Sequence, residues 1–158
     1  MNDPTEGDLS AYQQFLKKEG KYRLERAEKL RTRIKEIRNY IKIIFDKQNQ
    51  LMNNVNENYE AKLLGMKGIV DDSLQCLYHL KMIFLSSECF NESCVEELEG
   101  IEKDLKGVTA VCDSMYDITG KNKPELLQGL HHIIIKDLAK ALKISHGHDN
   151  QKNFEYQQ

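Results

Sequence analysis

The chain has 158 residues, enough for one ordinary domain or for a small bundle plus a rod. Two prolines, nine glycines, no tryptophan and 30% charged residues exclude a turn-rich β or α/β architecture and suit long, partly exposed helices. The formal net charge of −2 favours no class of partner, but the charge is unevenly spread. Residues 17–47 carry twelve Lys and Arg against five acids, and residues 86–117 carry nine acids against two lysines. Such a split can steer a partner or set the register between two copies of the chain.

The opening MNDPTEGDLS is polar and acidic, without the apolar core of a signal peptide, and no window approaches 18 uninterrupted apolar residues. An intracellular protein, cytoplasmic or nuclear and with no membrane span, is expected, its four cysteines remaining free thiols. Residues 1–8 read as a disordered lead-in. Helix propensity begins near Leu9, and Tyr12, Phe15 and Leu16 supply an early apolar patch. Gly20 is a weak point, costing about 1 kcal/mol relative to Ala inside a helix.

From 27 to 55, apolar residues recur at alternating steps of three and four. Ala27, Leu30, Ile34, Ile37, Ile41, Ile44, Gln48, Leu51 and Val55 fall on the a and d positions of four heptads. A helix with such a stripe cannot bury it alone, so these nine residues form the expected partner-binding seam. Isoleucine at both a and d shifts parallel coiled coils toward trimers or tetramers, and Gln48 at an a position would set register. The flanking e positions are Arg31 and Arg38 at first, then Phe45, Met52 and Tyr59. A narrow seam suits a rod and a broad face suits a bundle, so the front of this helix should project and its rear should be enclosed.

The run Asn53-Asn54-Val55-Asn56-Glu57-Asn58 is poor in helix formers, and Gly65 and Gly68 follow. With no proline to force a break, continuity or a kink is expected. Met66, Val70, Leu74, Leu77, Leu80 and Phe84 form the next stripe, opposite Asp72, Gln75 and His79. Residues 86–93 are the clearest loop. Ser93 with Glu96 makes a capping box for a helix carrying Leu98, Ile101, Leu105, Val108, Cys112 and Met115. Residues 117–123 are a second loop, and Pro124 fits the first turn of a last helix buried along Leu127, Leu130, Ile134, Leu138 and Ala141. From Ser145 the sequence reads as a frayed tail.

Little chemistry is visible. Cys76 and His79 share a helix face at i and i+3, but a zinc site needs four ligands and no second pair stands at a standard spacing. Cys76 and Cys112 suit the core, whereas Cys89 and Cys94, near a loop, are expected to be exposed and oxidisable. His131 and His132 point about 100° apart on a helix and do not converge. No nucleophile–base pair, Gly-rich phosphate loop or paired carboxylates can be assembled, since the acids follow solvent faces. No catalytic residue, metal or cofactor is therefore expected. The strongest charged feature is a basic face made of Lys17, Lys18, Lys21, Arg23, Arg26, Lys29, Arg31, Arg33, Lys35 and Arg38. It could contact nucleic acid phosphates or an acidic polymer, or simply solvate a coiled coil.

The expected architecture is all-α: a disordered segment 1–8, a long N-terminal coiled-coil helix over 9–60, a small antiparallel helical bundle over 61–144 and a disordered tail 145–158. The expected role is a non-catalytic protein–protein interaction subunit or adaptor, assembling through the coiled-coil helix into a homo- or hetero-oligomer. The alternative is a helical nucleic-acid-binding protein using the basic face.

Overall fold

The structure, a computed structural model, describes residues 6–115 and 123–147, with side chains described from Ser10 onward. All four elements are helices: α1 Glu6–Asn53, α2 Tyr59–Leu85, α3 Glu92–Ser114 and α4 Lys123–Gly147. Of the lead-in expected over 1–8, residues 6–8 belong to α1 and 1–5 lie outside the described residues, as do most of the second loop and, from 148 on, the tail expected over 145–158.

Cross-helix pairs give the topology. Arg26 meets Glu88, Lys67 meets Asp113 and Lys81 meets Glu102, so α1, α2 and α3 run up, down and up. Arg38 bonds Ser145 and Gln48 bonds His131, which sets α4 antiparallel to α1. Helix α1 packs on α2 and α4, α3 packs on the other sides of the same two helices, and α2 and α4 touch across the middle. Short connections between amphipathic helices favour this up-and-down order.

The core is where the stripes meet. Ile34, Ile41, Leu63, Met66, Leu77, Leu80, Phe84, Leu98, Leu105, Ile134 and Leu138 are all fully buried. Each such side chain contributes roughly 1.5–3 kcal/mol of transfer free energy toward holding the four helices together. Gly65, suspect in the sequence as a helix weak point, serves packing instead. A Cβ there would lie 2.9 Å from both δ-methyls of Leu51, so the missing side chain lets α1 approach the α2 backbone.

Three expectations change. First, the chain breaks after Asn53 rather than running on. Asn54 Oδ1 accepts from the Asn56 amide at 3.0 Å, and Asn58 Oδ1 accepts from the Ala61 amide at 2.8 Å, capping α2. Short amides that bond their own backbone compete with the helical ladder, and here they win. Val55, placed on the seam by its spacing, is therefore 91% exposed in the turn. Tyr59 opens α2 and donates its hydroxyl to the Met115 carbonyl at 3.1 Å.

Second, the heptad stripe of α1 is covered by α2 and α4 of the same chain, and no long coiled coil is formed by the described residues. Enclosure begins at Ala27, well before the widening at Phe45, and Arg38 at an e position is itself buried. Its Nε donates to Ser145 Oγ at 3.1 Å and its Nη2 to the Ser145 carbonyl at 2.8 Å. The bundle thus takes in the rear of α1, and α4 continues to Gly147 with Ser145 buried.

Third, α3 starts earlier than the capping box implies. Asn91, extended at φ −149° and ψ 98°, accepts from the Cys94 amide at 3.0 Å. Ser93 lies inside the first turn, where its hydroxyl cannot act as the cap. Pro124 does fall in the first turn of α4.

Candidate interaction surface

Helix α1 has 48 residues, while α2, α3 and α4 have 27, 23 and 25. An antiparallel bundle is as long as its shorter members, so residues 6–25 leave it as a single helix roughly 30 Å long at 1.5 Å per residue. The root is Arg26. Its Nη1 lies 3.2 Å from Glu88 Oε1 in the α2–α3 loop, and its guanidinium sits 4.4 Å over the Tyr22 ring.

Beyond that root residues 10–18 and 21–25 are exposed. Tyr12 is 60% exposed, Phe15 56%, Leu16 49% and Tyr22 54%. At 3.6 residues per turn these four fall within an arc of roughly 120° that also holds Glu19 and Arg23, while Lys17 and Lys21 lie on the opposite side and Lys18 beside it. The projection is thus amphipathic with its apolar side facing solvent. Leu24 is exposed too, outside that arc, and Leu85 and Phe90 are exposed at the end of the bundle from which the projection leaves.

The expected partner-binding seam sits elsewhere. Ala27, Ile34, Ile37, Ile41, Ile44 and Gln48 are buried in the bundle, and Leu30 and Leu51 are half-buried against it. Gln48 places its Nε2 3.0 Å from His131 Nδ1 on α4, leaving Oε1 without a hydrogen-bond partner. Burial, and then the charge of His132, pushes the His131 pKa down. A neutral imidazole can accept the Gln48 amide proton through Nδ1.

The basic face is split. Lys17, Lys18, Lys21, Arg23, Lys29, Arg33 and Lys35 are exposed, Arg26 and Arg31 are half-buried, and Arg38 is inside the bundle. Arg31 lies 2.7 Å from Glu28 and Arg33 3.0 Å from Glu36, so intrahelical acids offset part of the charge.

Two grooves flank the bundle. One, between α1 and α2, encloses about 300 Å³ and is lined by Ile37, Tyr40, Ile43 and Cys76 with Lys47 and Asp72. The other, between α3 and α4, encloses about 640 Å³ and is lined by Glu97, Asp104, Lys140 and Lys143 with Cys94 and Ile101. Beside it lies Asp137, 1% exposed, with Oδ2 unpartnered. Burial first, and then the neighbouring Asp104, pushes its carboxyl up to about 6, with Lys140 and Lys136 opposing. Asp137 escaped the sequence reading, which placed all acids on solvent faces. The signal was present: three residues after Ile134 and one before Leu138, it stands on the inner side of α4.

The thiols are quiet. Cys89, expected to be exposed, is buried beneath the α2–α3 loop, and burial pushes its pKa up to about 12. Cys76, Cys94 and Cys112 are raised as well, burial being the largest cause in each. His79 is exposed beside Tyr78, with ring centroids 5.7 Å apart. Among the described residues no three His, Cys, Asp or Glu converge as a metal set, and no helix is long and apolar enough to cross a membrane.

No family model matches the chain, and no curated protein or solved structure is significantly similar to it.

Proposed function

We propose that this chain is a non-catalytic interaction subunit, an adaptor-type intracellular protein that docks through the apolar side of residues 10–25. The observation that carries the reading is the uncovered stripe Tyr12, Phe15, Leu16 and Tyr22 on a helix standing clear of the bundle. A lone helix of about 20 residues is marginal in water, more so with Gly20 inside it, because most helical stability comes from packing an amphipathic face. Large exposed apolar side chains grouped on one side of a helix, as Tyr12, Phe15 and Leu16 are, also mark an interaction site more strongly than scattered exposed leucines. The thiols, held protonated by burial, fit a structural role better than a nucleophilic one.

A photo-crosslinking amino acid placed at Phe15 tests this in the full chain inside cells. Adduct yield at Phe15 should exceed that at Val111, an exposed apolar position on α3. Equal yields at the two positions overturn the reading.

A further inference from the structure

We infer that the projecting helix is occupied by a second copy of this chain, laid antiparallel along residues 10–25 to make a twofold dimer; the inference rests on the docking role proposed above. A twofold interface needs a patch that complements itself. Here the twofold falls between Phe15 and Leu16. It sets Phe15 of each copy against Leu16 of the other and places Tyr12 opposite Glu19, twice.

Charge selects the direction. Glu19 and Arg23 lie on the apolar side of the projection, and Lys18 flanks it. In a parallel pair Glu19 and Arg23 each meet their own copy, so like charges face each other on the seam. In the antiparallel pair the Tyr12 hydroxyl can donate to the Glu19 carboxylate. Antiparallel pairing further carries the two bundles to opposite ends, whereas parallel pairing would crowd them side by side.

The area is that of a modest interface. With an aromatic side chain presenting about 200 Å², the four stripe residues uncover on the order of 400 Å² per copy at their observed exposures. The pair removes about twice that from water. Where each rod ends it reaches the partner's bundle, at Leu85 and Phe90, which brings the total to about 1,000 Å², the lower bound for a specific contact. Interfaces this small hold transient complexes, so monomer and dimer should exchange with concentration.

Sedimentation equilibrium of the full chain should show the mass rising from 18.4 kDa toward twice that value between about 1 and 200 μM. The variant carrying Phe15→Glu and Leu16→Glu should stay monomeric, with an unchanged thermal melt because both residues lie outside the bundle. Small-angle scattering of the dimer should give a longest dimension of about 110 Å, against about 75 Å for parallel rods of 48 residues. A chain that stays monomeric at 200 μM, a double variant that still dimerises, or a dimer of about 75 Å each overturns the inference. So does a monomer that instead co-sediments with phosphatidylserine vesicles or binds duplex DNA with a steep salt dependence. If the chain is monomeric while the Phe15 crosslinker keeps its positional preference, self-pairing fails and the docking role stands.

Discussion

Replacing Asp137 with Asn should stabilise the protein at neutral pH and leave it little changed in acid. The carboxyl of Asp137 is 1% exposed on α4, has one oxygen without a partner and faces Asp104 across the α3–α4 contact. Burial and that second carboxylate raise its pKa from an ordinary 3.8 to about 6. The native state therefore holds a proton that the unfolded chain releases near pH 4. Stability conferred by the protonated form is complete below pH 4, falls as pH rises from 4 to 6 and is absent above. Two pKa units at 1.36 kcal/mol each make the loss about 3 kcal/mol.

Asparagine keeps the shape, carries no charge and donates its amide to Asp104. It should recover about 1–3 kcal/mol at pH 7.5 and almost nothing at pH 4. At roughly 2–4 °C per kcal/mol for a chain of this size, the melting temperature at pH 7.5 should rise by about 2–12 °C. Urea melts of both proteins at pH 4.5 and 7.5 decide the matter, with the pH dependence of the difference as the readout. A difference independent of pH, or an Asn variant weaker than the parent at pH 7.5, refutes the burial of an ionised carboxylate at this contact.

The cap assignment at α3 separates two neighbouring residues. Asn91→Ala should lower stability by about 1 kcal/mol, and Ser93→Ala should leave the urea midpoint within error. Arg38→Met removes the charged hydrogen bonds to Ser145 and should cost about 1.5–3 kcal/mol, with amide exchange accelerated most over 142–147. Ile41→Asp buries an unpaired charge between α1 and its neighbours, so circular dichroism should show a chain unfolded at 25 °C rather than a folded monomer. Cys89, with its pKa near 12, should resist iodoacetamide at pH 8 until denaturant is added; rapid alkylation of the folded protein would contradict its burial.

Much of the fold was legible because amphipathic helices write their buried side into the chain every three or four residues. The stripes from Met66 to Phe84, Leu98 to Met115 and Leu127 to Ala141 are buried almost residue for residue, and Leu74 alone remains half-buried. The break at 54–58 was harder to read. Asparagines tolerate a helix until their amides find backbone partners, and here Asn54 and Asn58 find them. The candidate surface was legible only as an apolar patch at Tyr12, Phe15 and Leu16, since nothing in the spacing tells where enclosure ends.

The amino-acid order alone determined that α1 carries an isoleucine stripe needing other helices, and that the basic residues crowd beside it. Tertiary structure decided which helices answer that need. An a/d stripe interdigitates equally well with a second chain in a coiled coil or with antiparallel neighbours of its own chain, because both use the same ridges-into-grooves geometry. Here the shorter lengths of α2, α3 and α4 set the outcome: they cover α1 from Ala27 onward and leave Tyr12, Phe15, Leu16 and Tyr22 exposed.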